Sequence, residues 1–219
     1  MAFPITYPAV SGPGRLLEIC SFRRSSIPES RYDEVFNGIT AKTSQFPIAR
    51  QTLSGRKASK EERDITVLIA DWTSADEKDI FEPGPEYQGI KPAFGELVNA
   101  GNPTFACHHI ILPGLGVTPE AGRYVAEFFS VSGLKQGEFA EKLREHVESL
   151  VGDTMPIFFH AAPSRENAEV VVAVSGWKSG VNAGAYMAGD FKKLQETTRP
   201  ICTEVVIYQA DMKKWEASQ

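Results

Sequence analysis

Four histidines occur in the sequence, His108, His109, His146 and His160. Histidine is the side chain whose ordinary pKa permits proton transfer near neutrality, so these residues are the first candidates for acid/base chemistry. His108 and His109 are consecutive in a stretch that reads as a strand, and the two-residue period of a strand sends them to opposite faces. One is expected to face a helix layer and the other an interior between sheets, one working and one structural. His160 lies in the apolar run Ile157–Ala161 (IFFHA). There it is either a second acid/base group or a core histidine satisfied by a hydrogen bond. The catalytic candidates are therefore His108, His109 and His160. His146, among Arg144, Glu145 and Glu148, reads as solvent-exposed.

Aromatic residues supply the second set. Trp72 and Trp177 could stack on a flat substrate, and Tyr87 and Tyr186 offer hydroxyls, with core packing as the competing use of all four. Glu18 and Glu127 are unexpected, because strands disfavour glutamate. They read as solubilising residues at a sheet edge rather than as buried acids. No phosphate loop, nucleophile elbow, His-x-x-x-His pair or dinucleotide fingerprint is present, and Gly114-Leu115-Gly116 lacks the third glycine of that fingerprint. The expectation is an enzyme with no bound cofactor and no metal.

The elements that must position these residues come as a repeat, which is the first thing to seek. Glu18 and Ser21 in Leu16–Phe22 match Glu127 and Ser130 in Val125–Val131, and Pro47-Ile48 matches Pro156-Ile157. Val67–Ser74 (VLIADWTS) matches Val172–Ser179 (VAVSGWKS), and Pro103–Ile110 can be laid over Pro200–Ile207. The spacing shrinks only at polar connections, where a duplicated fold tolerates insertions. Each half reads strand, helix, strand, strand, helix, strand. First-half strands are expected near Leu16–Arg23, Ile48–Leu53, Asp64–Trp72 and Thr104–Leu112. A helix should start at a capping box Ser30-x-x-Asp33, and a second box is Ser74-x-x-Glu77. Tyr87, Ile90, Phe94, Leu97 and Val98 recur at helical spacing, as do Phe139, Leu143, Val147 and Leu150 on Gly137–Val151. Val181–Thr197 reads as the last helix and Cys202–Ala210 as the last strand. The expected fold class is α+β: an N-terminal arm (1–14), a first ferredoxin-like βαββαβ repeat (15–112), a linker (113–122) and a second repeat (123–212). Two four-stranded sheets, each bare on one face, would bury those faces against each other as a single-chain pseudo-dimer.

The bulk numbers agree with a globular chain. Of 219 residues, 42% are hydrophobic and 23% charged, and 23 basic against 28 acidic residues leave a net charge of −5. That balance offers no broad cationic surface for nucleic acid. No stretch has the length and apolarity of a membrane span, and no charged-then-apolar leader opens the chain, so a cytoplasmic location is expected. Cys20, Cys107 and Cys202 are too few and scattered for a disulfide framework and read as buried free thiols.

With the order of elements in place, Ala70-Asp71-Trp72-Thr73-Ser74 with Glu86-Tyr87-Gln88, repeated as Gly176-Trp177-Lys178-Ser179, resembles the antibiotic-biosynthesis-monooxygenase (ABM) group of the dimeric α/β-barrel superfamily. The resemblance spans about Arg15 to Tyr208. It implies a small-molecule enzyme or a stress-response module in which two protomers are fused. Two departures follow. The quinone-forming oxygenases of that group carry an asparagine four residues before the tryptophan, where this chain has Leu68 and Ala173. The haem-degrading members use a histidine after it, and Ala75–Val98 and Gly180–Thr197 contain none. The reading is thus a cofactor-independent enzyme using histidine acid/base chemistry on an aromatic or polyketide-like substrate, by cyclisation, isomerisation or cofactor-free monooxygenation. Its alternative is a non-catalytic ligand-binding protein. The substrate contacts would be Trp72, Tyr87, Trp177 and Tyr186. The partner is a small apolar molecule rather than a nucleic acid or a membrane, and the chain is expected to be a monomer or weak oligomer. One open pocket is expected, in the first half, with Ala75–Gly89 beside it.

Overall fold

The structure is a computed structural model that describes residues 2–56, 64–98, 105–114 and 121–215. The first half contains β2 (Gly14–Arg23), α1 (Glu29–Thr43), β3 (Ala49–Arg56), β4 (Ile65–Trp72), α2 (Ala75–Phe81), α3 (Pro85–Gln88), α4 (Lys91–Leu97) and β5 (Ala106–Pro113). The second half contains β6 (Arg123–Val131), α5 (Gln136–Ser149), β7 (Phe158–Pro163), β8 (Val170–Trp177), α6 (Gly180–Ala188), α7 (Asp190–Thr198) and β9 (Cys202–Ala210). All pairings are antiparallel, in the orders β5-β2-β4-β3 and β9-β6-β8-β7. Two short terminal strands extend the sheets crosswise. β1 (Ile5–Tyr7) pairs with β7 of the second half, and β10 (Lys213–Trp215) pairs with β3 of the first. The proline-rich arm expected at 1–14 therefore contributes an edge strand.

The expected α+β class, two ferredoxin-like repeats in one chain, is what the structure has. β4 (ITVLIADW) is buried at every residue, as a central strand covered on both faces must be. Leu17, Ile19, Val67, Ile69, Ile110 and Leu112 of one sheet pack on Tyr124, Ala126, Phe128, Val172, Val174 and Tyr208 of the other. That interior takes one parity of each strand. The other parity faces helices, with Phe129, Phe139, Leu143 and Tyr186 filling the layer of the second half.

Local chemistry explains where boundaries differ from expectation. Ser74 caps α2 by accepting from the Glu77 amide, and Ser179 caps α6 by accepting from the Asn182 amide. Ser30, by contrast, lies inside α1, which begins directly after Pro28 with no side-chain cap. The helical run from Tyr87 to Val98 is split into α3 and α4, because Pro92 has no amide to donate back to the preceding turn. The run Val181–Thr197 is likewise two helices that meet at Gly189. Most of the linker 113–122 lies outside the described residues, as does most of the polar insertion 56–63.

The two halves differ in register. Trp72 and Trp177 both end the third strand of their repeat. Glu18, however, lies opposite Ala70, two residues before Trp72, whereas Glu127 lies opposite Ala173, four residues before Trp177. Strand parity is kept, so both glutamates face helices, but only Glu18 comes within reach of its tryptophan.

Candidate active site

Glu18 sits on β2, the strand flanked by β4 and β5, and its side chain is buried. The expected place at a sheet edge is thus wrong for Glu18 and also for Glu127, which is fully buried on β6 between β8 and β9. The physical difference lies in what surrounds each carboxylate.

Around Glu18 the surroundings are polar and cationic. Trp72 Nε1 donates to its Oε2 at 2.9 Å. The Lys78 ammonium, on the buried side of α2, is 3.8 Å away, and His109 Nε2 is 3.3 Å away. Cys20 Sγ donates to Oε1 at 3.4 Å. Burial alone would raise the pKa of Glu18; the hydrogen bond of His109 and the charges of Lys78 and His109 outweigh it, holding the acid down at about 2. His109 stands between two carboxylates, with Nδ1 2.6 Å from Glu166 Oε1. Burial lowers its pKa and the two acids more than restore it, so the balance is upward and favours the imidazolium. Glu166 also accepts from the His109 backbone amide at 2.8 Å, so a loop of the second half clips the edge strand β5. Lys78 is held by Glu82 at 3.1 Å and lies 4.0 Å from the centre of the Tyr87 ring. Burial and then the charges of Glu18 and Glu82 push the Tyr87 hydroxyl up, so it stays protonated.

Glu18, Cys20 and Cys107 form the polar floor of a cavity of about 420 Å³ between the first-half sheet and its helices. Its walls are apolar: Ile39, Leu68, Ile90, Phe94 and Val98, with Trp72 and Tyr87 beside the floor and Phe105 at the mouth. The size suits a small organic molecule. The ligand atoms of Glu18, Cys20 and Cys107 lie within 4.8 Å of one another, a set able to contact a thiophilic cation.

The sequence candidates separate accordingly. Trp72 and Tyr87 line the cavity. His109 touches it only through Glu18. His108 faces the interior between the sheets, against Phe128 at 5.2 Å and with Nδ1 3.0 Å from Ser164 Oγ. His160 is fully buried on the interior face of the second sheet, stacked on Phe158 at 5.1 Å, and is no partner to the cavity. Trp177 and Tyr186 are fully buried and stacked on each other at 4.6 Å, so neither has a face to offer a substrate. His146 is half-buried rather than exposed, 5.8 Å from the Tyr186 ring, and burial pushes it down to about 4. Glu127 has the Tyr186 hydroxyl at 3.4 Å and no cation beside it among the described residues, and burial pushes it up to about 8. Opposite it on β9 stands Ile207, where Glu18 has His109 on β5. Residue-by-residue reading passes over Lys78, Glu166 and the cysteine pair. Trp72 and Tyr87 mark the cavity in the sequence, and the repeated glutamate in an apolar strand is the signal for its floor.

These surroundings sit on a fold found in solved structures. A protein from Fusobacterium nucleatum described as a candidate monooxygenase matches with a TM-score of 0.67 at 13% identity, covering 92% of this chain and 94% of its own. The likeness is one of fold, over nearly the whole of both chains. An anthrone oxidase-like protein matches with a TM-score of 0.66 at 13% identity, covering 94% of this chain and 97% of its own. A candidate chlorite dismutase matches with a TM-score of 0.61 at 11% identity, covering 91% and 95%. No family model matches the sequence, and no curated protein matches it. The fold is thus shared among proteins described by different chemistries, and function has to be argued from the site.

Proposed function

We propose that this protein is a cofactor-independent enzyme acting on an apolar aromatic or polyketide-like ketone held in the first-half cavity. Glu18 is the proton acceptor, and Lys78 and His109 are the cations that favour the enolate. The observation that carries the reading is a buried carboxylate on the floor of an apolar cavity with Lys78 and His109 beside it, an arrangement that among the described residues only the first half has. A carboxylate held so low is a weak base, so the enolate it forms has to be matched by positive charge close by, for which Lys78 and His109 are placed. Trp72 and Tyr87 offer the aromatic walls. In this reading His109 tunes Glu18, while His108, His160, Trp177 and Tyr186 are packing residues.

Once formed, the enolate can be reprotonated or can close a ring without redox change, and Leu68 in place of an anchoring asparagine favours that outcome. A second reading is carried by the fold shared with the anthrone oxidase-like protein and the candidate monooxygenase. There the carbanion reacts with dioxygen, converting a methylene to a carbonyl with release of water. Anthrone, an aromatic ketone with an acidic methylene, tests both. Exchange of its methylene protons in deuterated buffer is expected to accelerate with the protein. Glu18→Gln is expected to lower that rate by about a hundredfold or more, the share of general base catalysis. Oxygen consumption separates the second reading from the first. Exchange no faster than in buffer, for a panel of such ketones, would remove the enzyme reading and favour a ligand-binding module.

A further inference from the structure

The mechanism above leaves two nucleophiles on the cavity floor unused. Cys20 on β2 and Cys107 on β5 are direct cross-strand partners. Their Sγ atoms are 2.6 Å apart, well inside the contact distance of two unbonded sulfurs. Directly opposed antiparallel residues have Cα atoms about 4.5–5.5 Å apart, within the Cα separation a disulfide spans. Cys20 is buried, whereas Cys107 is half-buried and lines the cavity. Glu18 Oε1 stands 3.4 Å from Cys20 Sγ and 3.8 Å from Cys107 Sγ, placed to take a thiol proton. Cys202, in the second half, is bonded to the Glu204 carbonyl and has no thiol partner among the described residues.

We infer that Cys20 and Cys107 are a reversible dithiol/disulfide site, oxidised by a hydroperoxide that enters the cavity. Cys107 Sγ attacks the outer oxygen of the hydroperoxide. A sulfur–oxygen bond forms, the oxygen–oxygen bond breaks, and the thiol proton leaves with the alcohol, or with water when the oxidant is hydrogen peroxide. Cys20 Sγ then attacks the sulfenic sulfur, a sulfur–sulfur bond forms, and the departing hydroxide takes the Cys20 proton by way of Glu18 and leaves as water. Two thiols and one peroxide give one disulfide, one alcohol and one water. Both thiols are raised above the ordinary range. The hydrogen bond between them acts in opposite directions on the two, raising Cys20 and lowering Cys107, and burial and Glu18 raise both. The first attack is therefore slow without a base. The disulfide deprives Glu18 of its two S–H neighbours, so the oxidation state of the pair acts on the carboxylate proposed as the base.

The test needs no substrate and is independent of the enolisation reading. The reduced chain has three thiols. After hydrogen peroxide, one titratable thiol is expected to remain, with a Cys20–Cys107 linkage in the non-reducing peptide map and full recovery on dithiothreitol. Cys20→Ser is expected to stop at a sulfenic acid on Cys107, and Cys107→Ser to leave Cys20 reduced. Glu18→Gln is expected to slow disulfide formation about a hundredfold. Retention of all three thiols in the wild type, intermolecular linkage only, or equal oxidation of Cys107 in the unfolded chain would each overturn the inference. Thiol protection by added Zn²⁺ with no disulfide under peroxide would instead mark a metal site and overturn it as well.

Discussion

Glu18 and Glu127 stand on the first strands of two repeats and reach opposite proton affinities through their neighbours alone. Glu127 is removed from water with, among the described residues, the Tyr186 hydroxyl as its one hydrogen-bond partner, so its protonated form is the one that fits the fold. With a folded pKa of about 8 against an ordinary 4.5, the native state holds a proton that the unfolded chain has released between those values. Its stabilising contribution is complete below the unfolded pKa and is lost as pH rises through the folded one. One proton corresponds to about 1.4 kcal/mol per pH unit. Glu127→Gln is therefore expected to flatten the decline of melting temperature between about pH 5 and pH 8, and to be the more stable protein at pH 8. An unchanged slope would mean that Glu127 is ionised by a neighbour that its hydrogen bonding does not reveal. At this scale the sequence is legible by residue type and strand parity: His108 and His109 do part to opposite faces. The roles are not legible, because charge at Glu18 depends on His109 and Lys78, residues 91 and 60 positions away, brought together only by the tertiary fold.

At the scale of elements, the first half keeps a cavity because its second crossover is broken into α2, α3 and α4, whereas α6 and α7 lay Tyr186, Phe191 and Leu194 directly on the sheet. Most elements are legible in the sequence because their apolar period is strong and Ser74 and Ser179 mark helix starts. The breaks at Pro92 and Gly189 are the exceptions, since apolar spacing runs straight through them. The two-residue register difference is also illegible, because a shift by a full strand period preserves which side chains face the helices. α4 offers a direct test of the cavity. Gly95 lines it, and a Cβ built there meets nothing within 4 Å. Gly95→Leu should stabilise the helix by about 0.5–1 kcal/mol, the usual gain over glycine at such a position. The same side chain narrows the mouth. A raised melting temperature together with loss of anthrone exchange is expected; activity unchanged in the stabilised variant would place the reaction elsewhere.

At the scale of the whole molecule, two repeats of this kind must cover one sheet face each, and the structure does so within one chain, Ile19 and Val67 on one side meeting Phe128 and Val172 on the other. The terminal strands reinforce the join, since each is paired into the sheet of the opposite half, β1 on β7 and β10 on β3. The surface that two separate protomers would use to associate is therefore already buried, at an area-proportional gain that no second copy can repeat. Among the described residues, one repeat's carboxylate has Lys78, His109 and a cavity beside it and the other's has none of these. Two consequences follow together: sedimentation equilibrium should give a monomer, and titration with a bound aromatic ketone should give one site per chain, abolished by substitution in the first half and indifferent to Glu127→Gln at a pH where both proteins are fully folded. A tight dimer that protects Ile19 or Phe128 strands only on association would mean that the halves open and exchange. Two equivalent binding sites per chain would mean that the packed layer around Tyr186 opens as readily as the cavity beside Tyr87, and the assignment of function to one half would fall.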